Sequence, residues 1–309
     1  MRADLHTHTL ASDGALRPAQ LIRSAATRRL THLAICDHDS LAAYDALTLD
    51  FPRDGGLAIV PGIDISAFLA GGEVHILGLG FDLHHLRLRR VLTNLLARRQ
   101  ERLASMFDKL VTLGCFRRYD ESQRAELRTQ LILRPEIQAW LPPTTLGPSA
   151  CRLHLAHALL VSGDCQSLGE VFARYLGDNG SAYVPYARYP GEEAIETIHE
   201  AGGVALLAHP ALYRERWDST IRAAAAAGAQ GVELNHPKQK PGQREAIDNL
   251  ARGLGLPLRT GGSDFHSFES PLGPRFGKEI APEAYLEQLF AMVQHPRFTS
   301  SPSVESANA

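Results

Sequence analysis

Cysteine is scarce in this chain: its 309 residues hold four, Cys36, Cys115, Cys151 and Cys165, none in a C-x-x-C pair. That excludes a thiolate zinc module and argues against a disulfide framework, so a reduced, cytoplasmic protein is expected. Long apolar runs are missing too. Nothing approaches the roughly 18 residues a membrane helix needs, and the alanine-rich IRAAAAAGAQGVELN is short and broken by glycines. No charged-then-apolar leader precedes the first strand-like residues. Charge of one sign is not in excess either, with 32 Lys and Arg against 34 Asp and Glu. The overall balance therefore recommends neither a nucleic acid nor an anionic membrane as partner. No obligate protein partner is evident, and there are no internal repeats.

What is present is a rhythm of short apolar runs followed by helical patterns. ADLH precedes PAQLIRSAATRR, in which Pro18 suits a first helical position, and LAICD precedes LAAYDALTL. LAIVPGIDIS and VHILGLGFD read as two more strands. The rhythm stops near residue 84 and resumes at AYVP, followed by VALLAHP, GVELN and PLRTGGSDFH with helical patterns between them. Strand–helix alternation predicts an α/β fold with a parallel sheet. The division expected is a discontinuous barrel domain at 1–84 and 181–292, an all-helical insertion at 85–180, and a small, polar, disordered tail at 296–309.

Histidine and aspartate gather where the predicted strands end. Residues two apart on a strand face the same side, so His6 and His8 are expected to point together, as are Asp264 and His266 in GSDFH. Between these pairs lie Asp13, CDHDS with Asp37 and His38, PGIDIS with Asp64, EVHILG with His75, and LAHP with His209. Carboxyl ends of strands are where α/β barrels build active sites. Imidazoles and carboxylates without thiolates suit Mn²⁺, Fe²⁺ or Zn²⁺ in an open, hydrolytic site.

Six stretches in order, DLHTHTLASDG, CDHDS, GIDIS, VHILG, LAHP and GSDFH, resemble the successive motifs of the polymerase and histidinol phosphatase (PHP) superfamily of metal-dependent phosphoesterases. The resemblance implies a distorted (βα)₇ TIM-like barrel with two to three divalent ions, Mn²⁺ first and Fe²⁺ or Zn²⁺ as alternatives. By position, His6, His8, Asp64 and Asp264 would hold one ion. Asp64, His75 and His209 would hold a second, and Asp13, His38 and His266 a third. Asp64, His209 and His266 are the residues expected nearest the chemistry. This chain has Asp64 where the family usually has glutamate, so a side chain shorter by one methylene must bridge two ions. Divalent ions set against Asp13, Asp64 and Asp264 leave a positive surplus that a phosphate group would offset.

The helical stretch after VHILGLGFD, with ACRLHLAHALLVSG and VFARYLGDNGSAYVP, resembles one branch: the nucleoside 3′,5′-bisphosphate phosphatases and the 5′-to-3′ exoribonucleases of the ribonuclease AM type. The resemblance implies hydrolysis of the 3′ phosphoester bond of a 5′-phosphorylated nucleotide. The substrate would be a nucleoside 3′,5′-bisphosphate or a short 5′-phosphorylated RNA, with Arg152 and His154 contacting a substrate phosphate. Residues 85–128 carry eleven Lys or Arg against five Asp or Glu, a local net of +6. A basic lid over a metal cluster suits a polyanion, although Arg87, Arg90, Arg98 and Arg102 also fit the solvated face of a long helix. His32, His84, His85, His199 and His295 fall at loop or helix-surface positions, and Cys36 reads as a strand-packing thiol. His157 and His236 could support the site from behind. Two alternatives compete: a small-molecule phosphatase of the histidinol-phosphatase type, and a degenerate, non-catalytic metal-binding module.

Overall fold

The computed structural model describes residues 1–47, 56–139, 147–186, 188–270 and 272–295, so the tail expected at 296–309 lies outside the described residues. Seven strands form one sheet in chain order: β1 (Ala3–Thr7), β2 (His32–Ile35), β3 (Ala58–Leu69), β4 (Gly72–Leu79), β5 (Val204–Leu207), β6 (Gly231–Asn235) and β7 (Leu258–Gly261). The helices α1 (Pro18–Thr27) and α2 (Ala42–Leu47) follow β1 and β2. Between β4 and β5 every regular element among the described residues is helical: α3 (Leu86–Thr112), α4 (Glu121–Leu133), α5 (Pro135–Gln138), α6 (Arg152–Val161), α7 (Leu168–Val171), a π turn at Phe172–Leu176, and α8 (Gly191–Glu200). The later crossovers use α9 (Trp217–Ala226) and α10 (Pro241–Gly253), and α11 (Glu283–Met292) follows β7.

The sheet curls until its ends meet. His8 donates its backbone N–H to Phe265 O at 2.9 Å and Asp264 donates to His6 O at 2.9 Å, so the segment after β7 runs beside the end of β1. Most neighbours are parallel, as strand–helix alternation predicts, but β4 is antiparallel to both β3 and β5. The cause is local. Ala70 (φ 49°) and Gly71 (φ 80°) make a two-residue turn with both residues in the left-handed region, which returns the chain as a hairpin. AYVP, expected as a strand, is not one. Its backbone is taken by side chains instead: Arg102 Nε donates to Val184 O at 2.7 Å and Lys109 Nζ to Tyr183 O at 2.9 Å.

Apolar side chains alternate between two layers. One face of the sheet packs Leu33, Ile35, Ile63 and Ile65 against the helices. The other gathers Leu5, Val60, Leu77, Leu206 and Leu258, closed by Leu286 and Leu289 of α11. A third cluster, with Leu103, Phe107, Phe116, Leu155 and Leu176, belongs to the helical stretch. Along α3 the buried positions Leu88, Leu92, Leu95, Leu96, Leu103, Met106, Phe107 and Leu110 follow helical spacing, and Arg99 occupies one position of that stripe.

The register of β1 slips by one residue: Asp4 pairs with Leu33 and Thr7 with Ile35, so β1 has one residue more than its partner over this span. Successive strand residues face opposite sides, and Leu5 lies in the apolar layer while the next residue, His6, faces Asp64 and Asp264. Gly262 makes the approach of β1 possible, because a Cβ there would lie 2.3 Å from His6 Cβ and 2.5 Å from His6 N. Gly262→Ala is therefore expected to destabilise the protein by about 1–3 kcal/mol through overpacking, read as a lowered urea midpoint; an unchanged midpoint would show that the seam can yield.

Candidate metal and phosphate site

The loop after β1 is tied down by Asp37. Its carboxylate accepts from the backbone N–H of Thr9 (2.7 Å), the Thr9 hydroxyl (2.6 Å) and the Ser12 hydroxyl (2.5 Å). Gly14 donates to Thr9 O at 2.9 Å, and a Cβ on it would come within 2.4 Å of His8 O. The small and polar residues of HTHTLASDG thus fold a tight loop that delivers Asp13. At the far end of the chain β7 stops at Gly261, so Asp264 and His266 arrive on the following loop rather than by strand alternation. Asp264 (φ 49°) and His209 (φ 30°) both hold left-handed backbone, a cost that surrounding structure must override and that often marks functional sites.

Eight of the nine residues expected to hold metal converge in close contacts. Asp64 is central and fully buried: its Oδ2 lies 2.9 Å from His75 Nδ1, 3.1 Å from His38 Nδ1 and 3.7 Å from His6 Nε2. Asp264 Oδ1 stands 3.2 Å from His8 Nε2 and 3.6 Å from His6 Nε2. Asp13 Oδ1 stands 3.4 Å from His266 Nε2 and 3.7 Å from His38 Nε2. Three sets have ligand atoms within 4.8 Å of one another: His6, His8 and Asp64; His38, Asp64 and His75; and His8, Asp13, His38 and His266. In the middle set His38 stands where the sequence reading has His209. The His209 ring is 5.2 Å from that of His75 and 5.8 Å from that of His6.

These residues fit a cation. His6 Nε2, His8 Nε2, Asp13 Oδ1, both Asp64 oxygens and His209 Nδ1 are buried without a hydrogen-bond partner. Buried polar atoms are normally satisfied, and here a set of them converges. Burial would push the Asp64 carboxyl up, but the His75 and His38 imidazoles outweigh it and hold it well below the usual carboxylate range. Burial and the neighbouring His266 and His38 push His8 down to about 3, leaving it neutral and free to donate a lone pair. The shorter Asp64 side chain thus still reaches imidazoles on three strands or strand ends.

Glu233 was not singled out in the sequence. Fully buried on β6, it accepts from His209 N–H at 2.8 Å and faces His6 Nδ1 at 2.9 Å, turning the other ring nitrogen, Nε2, toward Asp64. His236 supports Asp264 in a similar way, with Nε2 3.3 Å from Oδ2. A lone acid among the apolar residues of GVELN was the available signal. Cys36 packs as expected, buried with its thiol toward Leu5 O at 3.4 Å.

Over the cluster opens a cavity of about 340 Å³ lined by Asp13, His38, His75 and His266. Arg99, Arg102, Arg152 and Lys238 line it too. Arg99 is held by Asp39 Oδ2 (2.5 Å) and the Ser66 hydroxyl (2.6 Å). Arg102 Nη2 pairs with Glu73 Oε1 at 3.8 Å, and Glu73 also lines the cavity. Of the other α3 arginines, Arg87 pairs with Glu196 and Glu200, Arg89 pairs with Asp45, and Arg90 and Arg98 are exposed. The basic stretch is therefore part solvated face and part cavity wall. Arg152 and His154 part company. Arg152 faces this cavity, whereas His154 lines a second one. His154 Nδ1 accepts from Cys151 N–H at 3.0 Å, and burial together with Arg134 pushes it down to about 3, so it brings no positive charge at neutral pH.

Glu233→Gln keeps the shape and removes the charge behind His6. Metal affinity, measured by chelator competition, is expected to fall about 10- to 100-fold, the usual effect of losing such an outer partner; undiminished affinity would mean that Glu233 only packs.

No family model matches the chain. It is 32% identical over 266 residues to a 5′-3′ exoribonuclease of Haemophilus influenzae, covering 85% of this chain and 89% of that one. A 3′,5′-nucleoside bisphosphate phosphatase of Chromobacterium violaceum is 30% identical over 267 residues, covering 85% and 87%. Among solved structures, a candidate metal-dependent phosphoesterase from Bifidobacterium adolescentis superposes with a TM-score of 0.75 at 26% identity, over 94% of this chain and 96% of that one. Motifs, relatives and fold agree, and the chain belongs to the PHP superfamily of metal-dependent phosphoesterases, in the branch of the 5′-3′ exoribonucleases and nucleoside 3′,5′-bisphosphate phosphatases.

Proposed function

We propose that the protein is a metal-dependent phosphoesterase that hydrolyses the 3′ phosphoester bond of 5′-phosphorylated nucleotides. Nucleoside 3′,5′-bisphosphate would become nucleoside 5′-phosphate and phosphate, and short RNA would lose its 5′-terminal nucleotide. The observation that carries this is one cavity lined both by imidazoles and a carboxylate of the cluster, His38, His75, His266 and Asp13, and by the arginines Arg99, Arg102 and Arg152. A phosphate substrate needs both, and the relatives' activities point the same way. A compact small-molecule pocket would not require three arginines in its lining.

Two to three divalent ions, Mn²⁺ first, would be held by His6, His8, Asp13, His38, Asp64, His75, His209, Asp264 and His266. Bound there, they would supply an activated water and neutralise charge on the phosphoryl oxygens. The chain's own part is orientation. Asp64, His209 and His266 stand nearest the reacting phosphorus. Arg152, together with Arg102, grips the 5′-phosphate and so sets which ester bond reaches them. The curled sheet is read as the distorted (βα)₇ barrel, formed by 1–84 and 181–292. Residues 85–180 are read as a helical lid that brings α3 and α6 over the site.

The test is phosphate and nucleotide release, with Mn²⁺ present, from adenosine 3′,5′-bisphosphate, a 5′-phosphorylated RNA and an aryl phosphate. Turnover of both nucleotides and its loss on chelation are expected. Arg152→Ala should cost about 10- to 100-fold in kcat/KM on the 5′-phosphorylated substrates, the worth of a charged hydrogen bond, and little on the aryl phosphate. Equal losses on all three would remove Arg152 from the anchoring role, and hydrolysis of the aryl phosphate alone would leave a phosphatase without a nucleotide specificity.

A further inference from the structure

A second cavity, of about 690 Å³, lies beside the first and shares Asp13, Leu153, Lys238 and His266 with it. Its character differs. Leu10, Leu168 and Leu272 join the shared Leu153 in giving it an apolar lining, and His154 and His157 add two imidazole rings. Arg134 enters from below, its Nη1 bound to the carbonyl of Ser12. The basic cavity and the apolar one thus adjoin at Asp13 and His266, two residues of the cluster over which a scissile phosphate would sit.

We propose that this apolar cavity is a subsite for the nucleoside on the far side of the scissile phosphate, the second residue of an RNA substrate. The inference rests on the phosphoesterase reading above and deepens it. In hydrolysis the water oxygen joins phosphorus, the bond from phosphorus to the 3′ oxygen breaks, and that oxygen leaves as a hydroxyl with a proton. The departing nucleoside 5′-phosphate stays with the arginines. The phosphorus keeps the oxygen that lies beyond it, a hydroxyl in a bisphosphate or the 5′ oxygen of the next nucleoside in RNA. A base is a flat, weakly polar body of the kind that leucines and imidazole rings accept by stacking, without reading its sequence. Lys238, at the seam, is placed to follow the backbone between the two subsites. The same metal cluster would then serve both substrates, and the apolar cavity would set how strongly RNA is preferred.

The experiment compares three substrates on the wild-type enzyme with Mn²⁺: adenosine 3′,5′-bisphosphate, the 5′-phosphorylated dinucleotide pApA, and the same dinucleotide with an abasic second residue. A kcat/KM about tenfold or more higher for pApA than for its abasic analogue is expected, the size of one base-stacking contact. His157→Glu and Leu168→Glu, both at positions open to solvent, should abolish that preference while altering the rate on the bisphosphate much less. No difference between pApA and its abasic analogue, or equal losses on all substrates in the variants, would overturn the subsite. Turnover of the bisphosphate with none of pApA would overturn it while leaving the phosphoesterase reading intact. Turnover of no nucleotide at all would take down both.

Discussion

The rest of the molecule is arranged around one carboxylate. Asp64 is fully buried and neither of its oxygens has a hydrogen-bond partner among the described residues, yet imidazoles approach Oδ2 from β1, from the end of β2 and from β4. An ion removed from water costs several kcal/mol unless charge of opposite sign compensates it. Burial would push the His6 and His75 imidazoles down, but Glu233 and Asp64 outweigh it for His6, and Asp64 does so for His75, so both are pushed up. His8 and His209, by contrast, are driven toward the neutral form, His8 by burial and the adjacent His266, His209 by burial and the adjacent His75. A divalent cation would take the place of the protons on the raised imidazoles and find lone pairs already free on the others.

The fold can be understood as the means of bringing that set together. Histidines from the first strand and an aspartate from beyond the last can meet only when the sheet curls until β1 touches the segment after β7. Gly262 allows that approach, and strand alternation turns His6 into the site directly after Leu5 has turned into the apolar layer. The β3–β4 hairpin sets two strands of the cluster side by side, with Asp64 on one and His75 on the other. Behind them, Glu233 and Asp37 orient an imidazole and a loop without touching the cavity.

Much of this was legible in the sequence, because ligand chemistry is carried by residue type and position. H-x-H, D-H-D, A-H-P and S-D-F-H at strand ends announce a cluster before any coordinates exist. Less visible was whatever depends on register. His6 and His8 do come together as alternation suggests, whereas Asp264 and His266 are delivered by the loop after β7. Antiparallel β4 was hidden because Ala70-Gly71 lacks the asparagine or aspartate that usually signals such a turn. Arg99 was concealed among many α3 arginines, although its place in the leucine stripe distinguishes it from Arg90 and Arg98. The R-x-H pair reads as one phosphate contact, yet the two side chains fall on different cavities, since positions two apart on a helix do not share a face.

The central claim is that this cluster is a cation site built on Asp64, and metal stoichiometry tests it most directly. Metal-free protein would be titrated with Mn²⁺ by calorimetry, with thermal unfolding followed at each end point. The account predicts two to three ions per chain and a raised Tm, because ions that bind only the folded state stabilise it by mass action, with fewer ions retained by Asp64→Asn. A wild-type protein that takes up no Mn²⁺ and whose Tm does not move, or an Asp64→Asn variant that binds the full complement, would contradict it.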